Sequence, residues 1–312
     1  MTSRTMDKEQ YPVFRETIGE LANPESYSMV CHEHRQGEPL PSSVKLTRII
    51  DLTREIIFPG YFGSTSLRQE TIGHYMGVYV DELYHLLNTE ILAGMCFECH
   101  DEGAGKLQRH SEQARRAARE FVLSLPEIRQ KMVTDVEAMY LGDPAAKSYG
   151  EVIFCYPSIR AVTNYRMAPR LLQLGVPLIP RYITEMAHSE TGIDIHPGAV
   201  IGDYFAIDHG TGVVIGSTCI IGHHVKIYQG VTLGAKSFEL DDSGNPVKGI
   251  PRHPIVEDHV VIYAGATILG RITIGRNSVV GGNVWVTRDL AQGSRVVQKK
   301  ARANDFTNGE GI

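Results

Sequence analysis

Apolar residues follow two different rhythms along the chain, and the change falls near residue 190. Up to about residue 185 they recur three and four positions apart, the period of a helix with one buried face. Leu46, Ile49, Ile50 and Ile57 line one such face, and after Pro126 the residues Ile128, Met132, Val133, Val136, Met139 and Tyr140 line another. From residue 193 glycine becomes frequent and aliphatic residues return at every sixth position. Val256, Ile262, Ile268, Ile274, Val280 and Val286 are consecutive hits, and Val260, Ala266, Ile272, Ser278 and Val284 keep a second column four residues further on. Ile195, Ile201 and Ile207 hold the same beat earlier. It slips by two residues around His209, and Ile215, Ile221, Ile227 and Leu233 resume it.

Neither a helix nor simple strand alternation predicts a period of six. The period, with glycine after many of the aliphatic positions (Gly202, Gly216, Gly222, Gly234, Gly275, Gly281), is the hexapeptide pattern of a parallel β-helix. Each hexapeptide supplies a short strand and a turn, and three complete one coil of a triangular prism. Inward aliphatic residues then stack at the parallel-strand spacing of about 4.8 Å. The glycines are expected to relieve turns that need positive φ. The predicted architecture is α+β: an all-α domain over residues 1–188, a left-handed parallel β-helix over 189–298 and a C-terminal tail over 299–312. Residues 235–254, AKSFELDDSGNPVKGIPRHP, break the beat with charged, Gly and Pro residues, so they are expected to leave the prism as an extruded loop.

Composition narrows the function classes. In 312 residues, 42% of them hydrophobic, there is ample material for a core. The net charge of −5 gives no basic surplus for a phosphate backbone, so no nucleic-acid partner is expected. No leader pattern opens the chain and no stretch approaches the roughly 20 apolar residues that cross a bilayer. A soluble, cytoplasmic protein without membrane contact is expected. Five irregularly spaced cysteines do not form a disulfide framework, so reduced thiols are expected.

The chemistry is sought among the histidines. CFECH, residues 96–100, has the spacing of covalent haem attachment, but without export or a matching domain it is read as coincidence. His209, His223, His224, His253 and His259 lie in or near the prism, which raises zinc. Adjacent residues of a strand point oppositely, so His223 and His224 do not converge on one ion, and CHEH at 31–34 supplies too few ligands. No metal is expected. His209 differs because it follows Asp208, sits where the repeat slips, and lies one coil beyond Asp194. A carboxylate bonded to one imidazole nitrogen fixes the tautomer and leaves the other nitrogen to accept a proton near a pKa of about 6.5. Spacing alone leaves open an ordinary histidine capping a turn.

The segments GIDIHPGAVIG, DHGTGVVIG, YQGVTLGA and RHP closely resemble the serine O-acetyltransferases, hexapeptide enzymes that begin cysteine biosynthesis. Upstream, DVEAMYLGDPAA and YPSIRAVTNYRMAPRLLQLGVPLIPRYITEMAH are similar to the helical segment that precedes the prism in that family. The resemblance covers roughly residues 135–290. It implies acetyl transfer from acetyl-CoA to the hydroxyl of L-serine by direct attack, with His209 as general base and Asp194 as its dyad partner. His253 is implied as a second active-site histidine, Arg252 as the partner of the serine carboxylate, and Asp208 and Asp143 as the acids that hold the amino group.

Acetyl-CoA is implied as co-substrate, its pantetheine arm lying between two prisms beside Gly234, Ala235, Ala264, Gly265 and Gly282. That arrangement implies a homotrimer or a dimer of trimers. The closing DFTNGEGI is similar to the family's C-terminal segment, in which a terminal isoleucine, here Ile312, engages the O-acetylserine sulfhydrylase. The helical domain is longer than the common bacterial form, the 235–251 loop carries extra residues, and VVQKKARAND replaces the usual segment after the prism. Lys299, Lys300 and Arg302 in that segment read as a solvated basic run. The alternatives are an O-acetyltransferase for another hydroxyl acceptor, such as a sugar, and a non-catalytic prism that binds a partner.

Overall fold

The computed structural model describes residues 13–32, 38–63, 67–98 and 105–299. The described residues up to Glu38 belong to a small unit and hold two short helices, α1 (Arg15–Leu21) and α2 (Pro24–Tyr27). From Pro39 onward the described residues of a second unit form six helices and the prism. Its helices are α3 (Ser43–Ile57), α4 (Ile72–Glu98), α5 (Lys106–Gly142), α6 (Tyr149–Cys155), α7 (Pro157–Gln173) and α8 (Ile179–Thr191). Ser42 caps α3 and Ser148 caps α6, each hydroxyl accepting a backbone N–H of the first turn, while Pro157 opens α7 where its missing N–H costs nothing.

The face Leu46, Ile49, Ile50 and Ile57 is buried as its spacing predicts. On α5 the face needs correction. Ile128, Met132, Val136 and Met139 are buried, whereas Val133 is exposed and Tyr140 is half-buried, its ring 4.4 Å from that of Tyr149. The helix runs through Pro126. Ala114, Ala117, Ala118, Phe121 and Leu125 bury the same side of α5 ahead of the proline, so packing holds both halves in one rod.

The prism is a left-handed parallel β-helix with three faces. Sheet one stacks β1 (Asp194–Ile195), β4 (Val214–Ile215), β7 (Thr232–Gly234), β10 (Thr267–Leu269) and β13 (Trp285–Val286). Sheet two stacks β2 (Val200–Ile201), β5 (Ile220–Ile221), β8 (Ile255–Val256) and β11 (Thr273–Ile274). Sheet three stacks β3 (Ala206–Asp208), β6 (Lys226–Tyr228), β9 (Val261–Ile262), β12 (Val279–Val280) and β14 (Arg295–Val296). All strand pairings are parallel, and the residues of the six-residue beat are buried, except Ile272 of the second column, which is half-buried. The register explains the slip. Ile195 pairs with Ile215, a coil of 20 residues, but Ile215 pairs with Leu233, a coil of 18. The surplus sits at the corner between β3 and β4, where His209, Gly210 and Gly212 all have positive φ. The 235–254 segment leaves between β7 and β8 and carries one antiparallel bridge, Leu240 to Pro246.

Glycine's role in the beat differs from the expectation. Gly202 and Gly222 are not left-handed; they are small because the next coil passes too close. A Cβ on Gly202 would lie 2.7 Å from the Gly222 carbonyl carbon. The left-handed corner residues lie two positions further on and are Tyr204, His224, His259 and Asn277. Such a backbone costs about 1 to 2 kcal/mol per non-glycine residue. Stacking offsets it: the Tyr204 and His224 rings are 4.3 Å apart, and those of His224 and His259 4.8 Å.

One buried ion pair docks the helices on the first coil. Arg166 of α7 binds both oxygens of Asp135 of α5 at 2.9 Å and donates to the carbonyls of Ile201 and Gly202 at 2.7 Å. Asp135 also accepts the N–H of Phe205 at 2.9 Å, and the Tyr165 hydroxyl reaches the Ala199 carbonyl. Among the described residues no helix is long and apolar enough to cross a membrane.

Removing one member of such a pair strands its partner's charge. Asp135→Ala is expected to lower unfolding free energy by about 3 to 5 kcal/mol in urea denaturation. A loss below about 1 kcal/mol would show that the docking does not depend on this contact.

Candidate active site

The predicted site residues gather at two corners of the prism. At the corner between sheets three and one, β3 ends in Asp208 and the chain turns through His209, whose side chain is 77% exposed. The end of α5 reaches the same corner and delivers Asp143 as its C-terminal cap. Asp143 accepts the Ala145 N–H at 2.8 Å and the Tyr156 phenol at 2.5 Å. The phenol's bond, then the amide, hold the Asp143 carboxyl below the usual range, and in return Tyr156 is pushed up to about 12.

Between the two acids lies Lys226 of β6. Its Nζ donates to the Gly142 carbonyl at 2.7 Å, lies 2.8 Å from Asp208 Oδ2, and sits 4.5 Å from the centre of the Tyr228 ring. Burial disfavours the ammonium most strongly, but the bond and charge of Asp208 together with Tyr228 outweigh it and raise the Lys226 pKa. Asp208 keeps its other oxygen 3.8 Å from His209 Nε2. Asp143, Tyr156, Asp208 and Lys226 line one small pocket there. The sequence pointed to Asp143 and Asp208, which come together here, and gave no pointer to Tyr156 or Lys226. Their signal was weak: Lys226 stands in an ordinary outward strand position and Tyr156 before a proline.

The second centre is the corner between sheets one and two, where the extruded loop returns. His253 is buried, its ring lying on Gly216 so closely that a Cβ there would be 2.0 Å from Cδ2. Burial first, then the charges of Arg252, His196 and Arg271, push the His253 pKa down to about 4, so the ring is neutral near pH 7. Arg252 stands beside it, its Nε buried without a hydrogen-bond partner and its guanidinium 5.8 Å from the Phe238 ring. A cleft of about 930 Å³ opens here, lined by His196, Ser217, Thr218, Arg252 and the loop from Phe238 to Gly249.

Asp194 and His209 are not joined as stacking suggested. No hydrogen bond links them among the described residues. Asp194 pairs with Val214, beyond the bulged corner, and its Oδ1 lies 3.6 Å from the Arg181 guanidinium of α8. The cation of α8 competes for that carboxylate. Arg181 also pairs with Glu185, so the grouping of Glu185, His188 and Asp194, close enough for an ion, already contains a positive charge.

The residues expected along acetyl-CoA divide as well: Gly234 ends β7 and Ala235 follows it at the loop corner, whereas Ala264, Gly265 and Gly282 lie at the His209 corner, where sheet three turns into sheet one. His223 bonds within the other corner, its Nδ1 accepting the Asp203 N–H at 3.1 Å, away from both centres. Cys31, Cys155 and Cys219 are free thiols. Lys299 is exposed, while His34, Cys99, His100, Lys300, Arg302 and Ile312 lie outside the described residues.

Comparison with known proteins places this geometry in a lineage. Residues 253–288 match the bacterial transferase hexapeptide model of six repeats. The chain is 50% identical over 282 residues to the plasmid serine acetyltransferase of Synechococcus elongatus, covering 89% of this chain and 88% of that protein. It is 47% identical over 163 residues to the serine acetyltransferase of Mycobacterium tuberculosis, covering 52% of this chain and 67% of that one. The crystal structure of serine acetyltransferase isoform 3 from Entamoeba histolytica in complex with cysteine superposes with a TM-score of 0.70 at 32% identity, covering 91% of this chain and 92% of that one. By identity sustained along most of both sequences, the chain belongs to the serine acetyltransferase family.

Proposed function

We propose that this protein transfers the acetyl group of acetyl-CoA to the hydroxyl of L-serine, giving O-acetylserine and CoA, the opening step of cysteine biosynthesis. The observation that carries this reading is the corner at β3, where an exposed imidazole stands beside two carboxylates held by Tyr156 and Lys226. Family membership supports it. His209 removes the hydroxyl proton as the serine oxygen attacks the thioester carbon; the C–S bond then breaks, and the departing CoA sulfur takes that proton back. Asp143 and Asp208 receive the ammonium, and Arg252, whose Nε lacks a partner, receives the carboxylate. Asp194 acts as the brace of His209 once it is released from Arg181.

A single prism cannot turn both histidines on one serine. Sheet one separates the two corners, and four or five residues of strand span roughly 15 Å. A neighbouring subunit bringing its loop corner to the His209 corner completes the site. The proposed active unit is therefore a homotrimer, alone or as a dimer of trimers, with acetyl-CoA between the prisms. Cysteine shares serine's carboxylate and ammonium, so it is expected to compete for the same contacts. Location in the cytoplasm and engagement of an O-acetylserine sulfhydrylase by the C-terminal isoleucine, Ile312, remain parts of this proposal.

Release of free thiol from acetyl-CoA, measured with L-serine and with sugar hydroxyl acceptors, tests the reaction. Serine-dependent turnover is expected, and His209→Ala is expected to lose about 10²- to 10⁴-fold in rate. Turnover with another acceptor only would remove the serine assignment, and none with any acceptor would favour a binding prism. Arg252→Ala is expected to raise the KM for serine by about 10- to 100-fold.

Mixing inactive His209→Ala and His253→Ala subunits tests the shared site. Activity is expected to reappear, because some interfaces then pair an intact His209 with an intact His253. No recovery in demonstrably mixed oligomers would place both histidines in one subunit's site.

Neutral His253 also affects stability. Its folded pKa of about 4 lies below the value of about 6.5 in the unfolded chain, which therefore binds more protons between them. Its contribution is full above about pH 6.5 and is lost as pH falls toward 4. In urea denaturation, wild type is expected to lose more stability than His253→Gln between about pH 7 and about pH 5. Equal losses would mean that burial does not hold the ring neutral.

A further inference from the structure

Thr218 is the second central residue of the turn that carries sheet one into β5, and the whole hydrogen-bonding capacity of its hydroxyl is spent on the end of the extruded loop. Oγ1 accepts the backbone N–H of Arg252 at 2.9 Å and that of His253 at 3.1 Å. A hydroxyl has two acceptor positions and one proton. With both positions filled, the proton goes to the remaining neighbour, His253 Nδ1 at 2.8 Å. The N–H of Thr218 donates to the same Nδ1 at 3.1 Å. A backbone N–H has no other role to play, so Nδ1 must be an acceptor and bears no hydrogen. The proton of the neutral ring is therefore on Nε2, which has no hydrogen-bond partner among the described residues.

The surroundings fix the ring in the plane this requires. Gly216 leaves the space the imidazole fills. Arg271 clamps the backbone from the next coil, one of its nitrogens donating to the Thr218 carbonyl at 2.6 Å and to the His253 carbonyl at 3.0 Å. Both strands of the contact are thereby tied together.

Resting on the acetyl-transfer reading above, we propose that Thr218 is the positioning residue that sets the tautomer and aim of His253, so that this ring presents an N–H to the acceptor substrate and does not serve as a base. The two histidines then divide the work: His209 takes the hydroxyl proton, and His253 donates a hydrogen bond to an oxygen of serine. The same hydroxyl sets the backbone of Arg252, so Thr218 governs the serine contacts without touching serine.

Nitrogen-15 spectra of histidine-labelled wild type, with His253 assigned by comparison with His253→Gln, read the tautomer directly. Protonated Nε2 and unprotonated Nδ1 are expected near neutral pH; the reverse pattern, or a doubly protonated ring, overturns the proposal and needs no variant.

Kinetics supply the second measurement. Thr218→Val keeps the shape and the backbone N–H but removes the hydroxyl, leaving two amides unpaired. It is expected to lower kcat/KM for serine by about 10- to 100-fold, with the KM for acetyl-CoA changed less than about twofold. Thr218→Ser restores the hydroxyl and is expected to stay within about threefold of wild type. Wild-type kinetics for the valine variant, or equal losses for valine and serine, would sink the assignment. An inactive wild type would instead refute the acetyl-transfer reading, so the two failures are distinguishable.

Discussion

Everything at the His209 corner depends on the buried pairing of Arg166 with Asp135. These residues lie on neighbouring helices, and the guanidinium also holds two carbonyls of the first coil, so one contact fixes α5, α7 and the prism to each other. Asp143 lies two turns further along α5, at its very end. A carboxylate on a helix can meet Asp208 on a strand only if the helix is seated in one register. A buried ion pair is a costly way to obtain cohesion, and hydrophobic residues supply it at lower expense in free energy. Its directional bonds suit a joint that must aim a side chain.

The prism divides labour between a uniform interior and irregular corners. Inward positions hold mostly Ile, Val and Leu in columns, and among the described residues no charged side chain enters them. Charge and hydrogen-bonding groups concentrate at the turns, where a β-helix leaves side chains outside and backbone amides close to the next coil. At one corner the turn lifts an imidazole free of the surface; at another a returning loop lays an imidazole flat against glycine. The first ring is exposed and the second buried. That contrast in solvation accounts for the neutral state of His253 in physical terms, with the neighbouring guanidiniums acting in the same direction.

Most of the fold was legible because the hexapeptide beat is a packing rule: each inward residue meets its equivalent one coil away, and the two-residue slip at His209 marked a real bulge. The helical faces were legible where burial is one-sided, as along Leu46 to Ile57, and less so at Val133, where a long helix turns part of its apolar face outward. Pro126 stands inside α5 because local preference gives way to packing on both sides of it. At the site, residue types with few alternative uses, the aspartates and the two histidines, were named as candidates. Thr218, Tyr156 and Lys226 were not, because a hydroxyl or ammonium acquires its role from a partner 13 to 84 residues away. The Asp194–Arg181 contact was hidden for the same reason: nothing in α8's pattern says that one of its cations faces a strand end.

The unequal coil lengths carry an evolutionary consequence. A coil of 20 residues and one interrupted by an extruded loop both keep their inward columns aligned with ordinary coils of 18. Length added at a vertex is invisible to the interior, so such segments can be exchanged, lengthened or replaced while the scaffold folds as before. Selection for a new acceptor would act on these inserts first, which makes the vertices the places where relatives of this chain are expected to diverge in specificity while remaining superimposable.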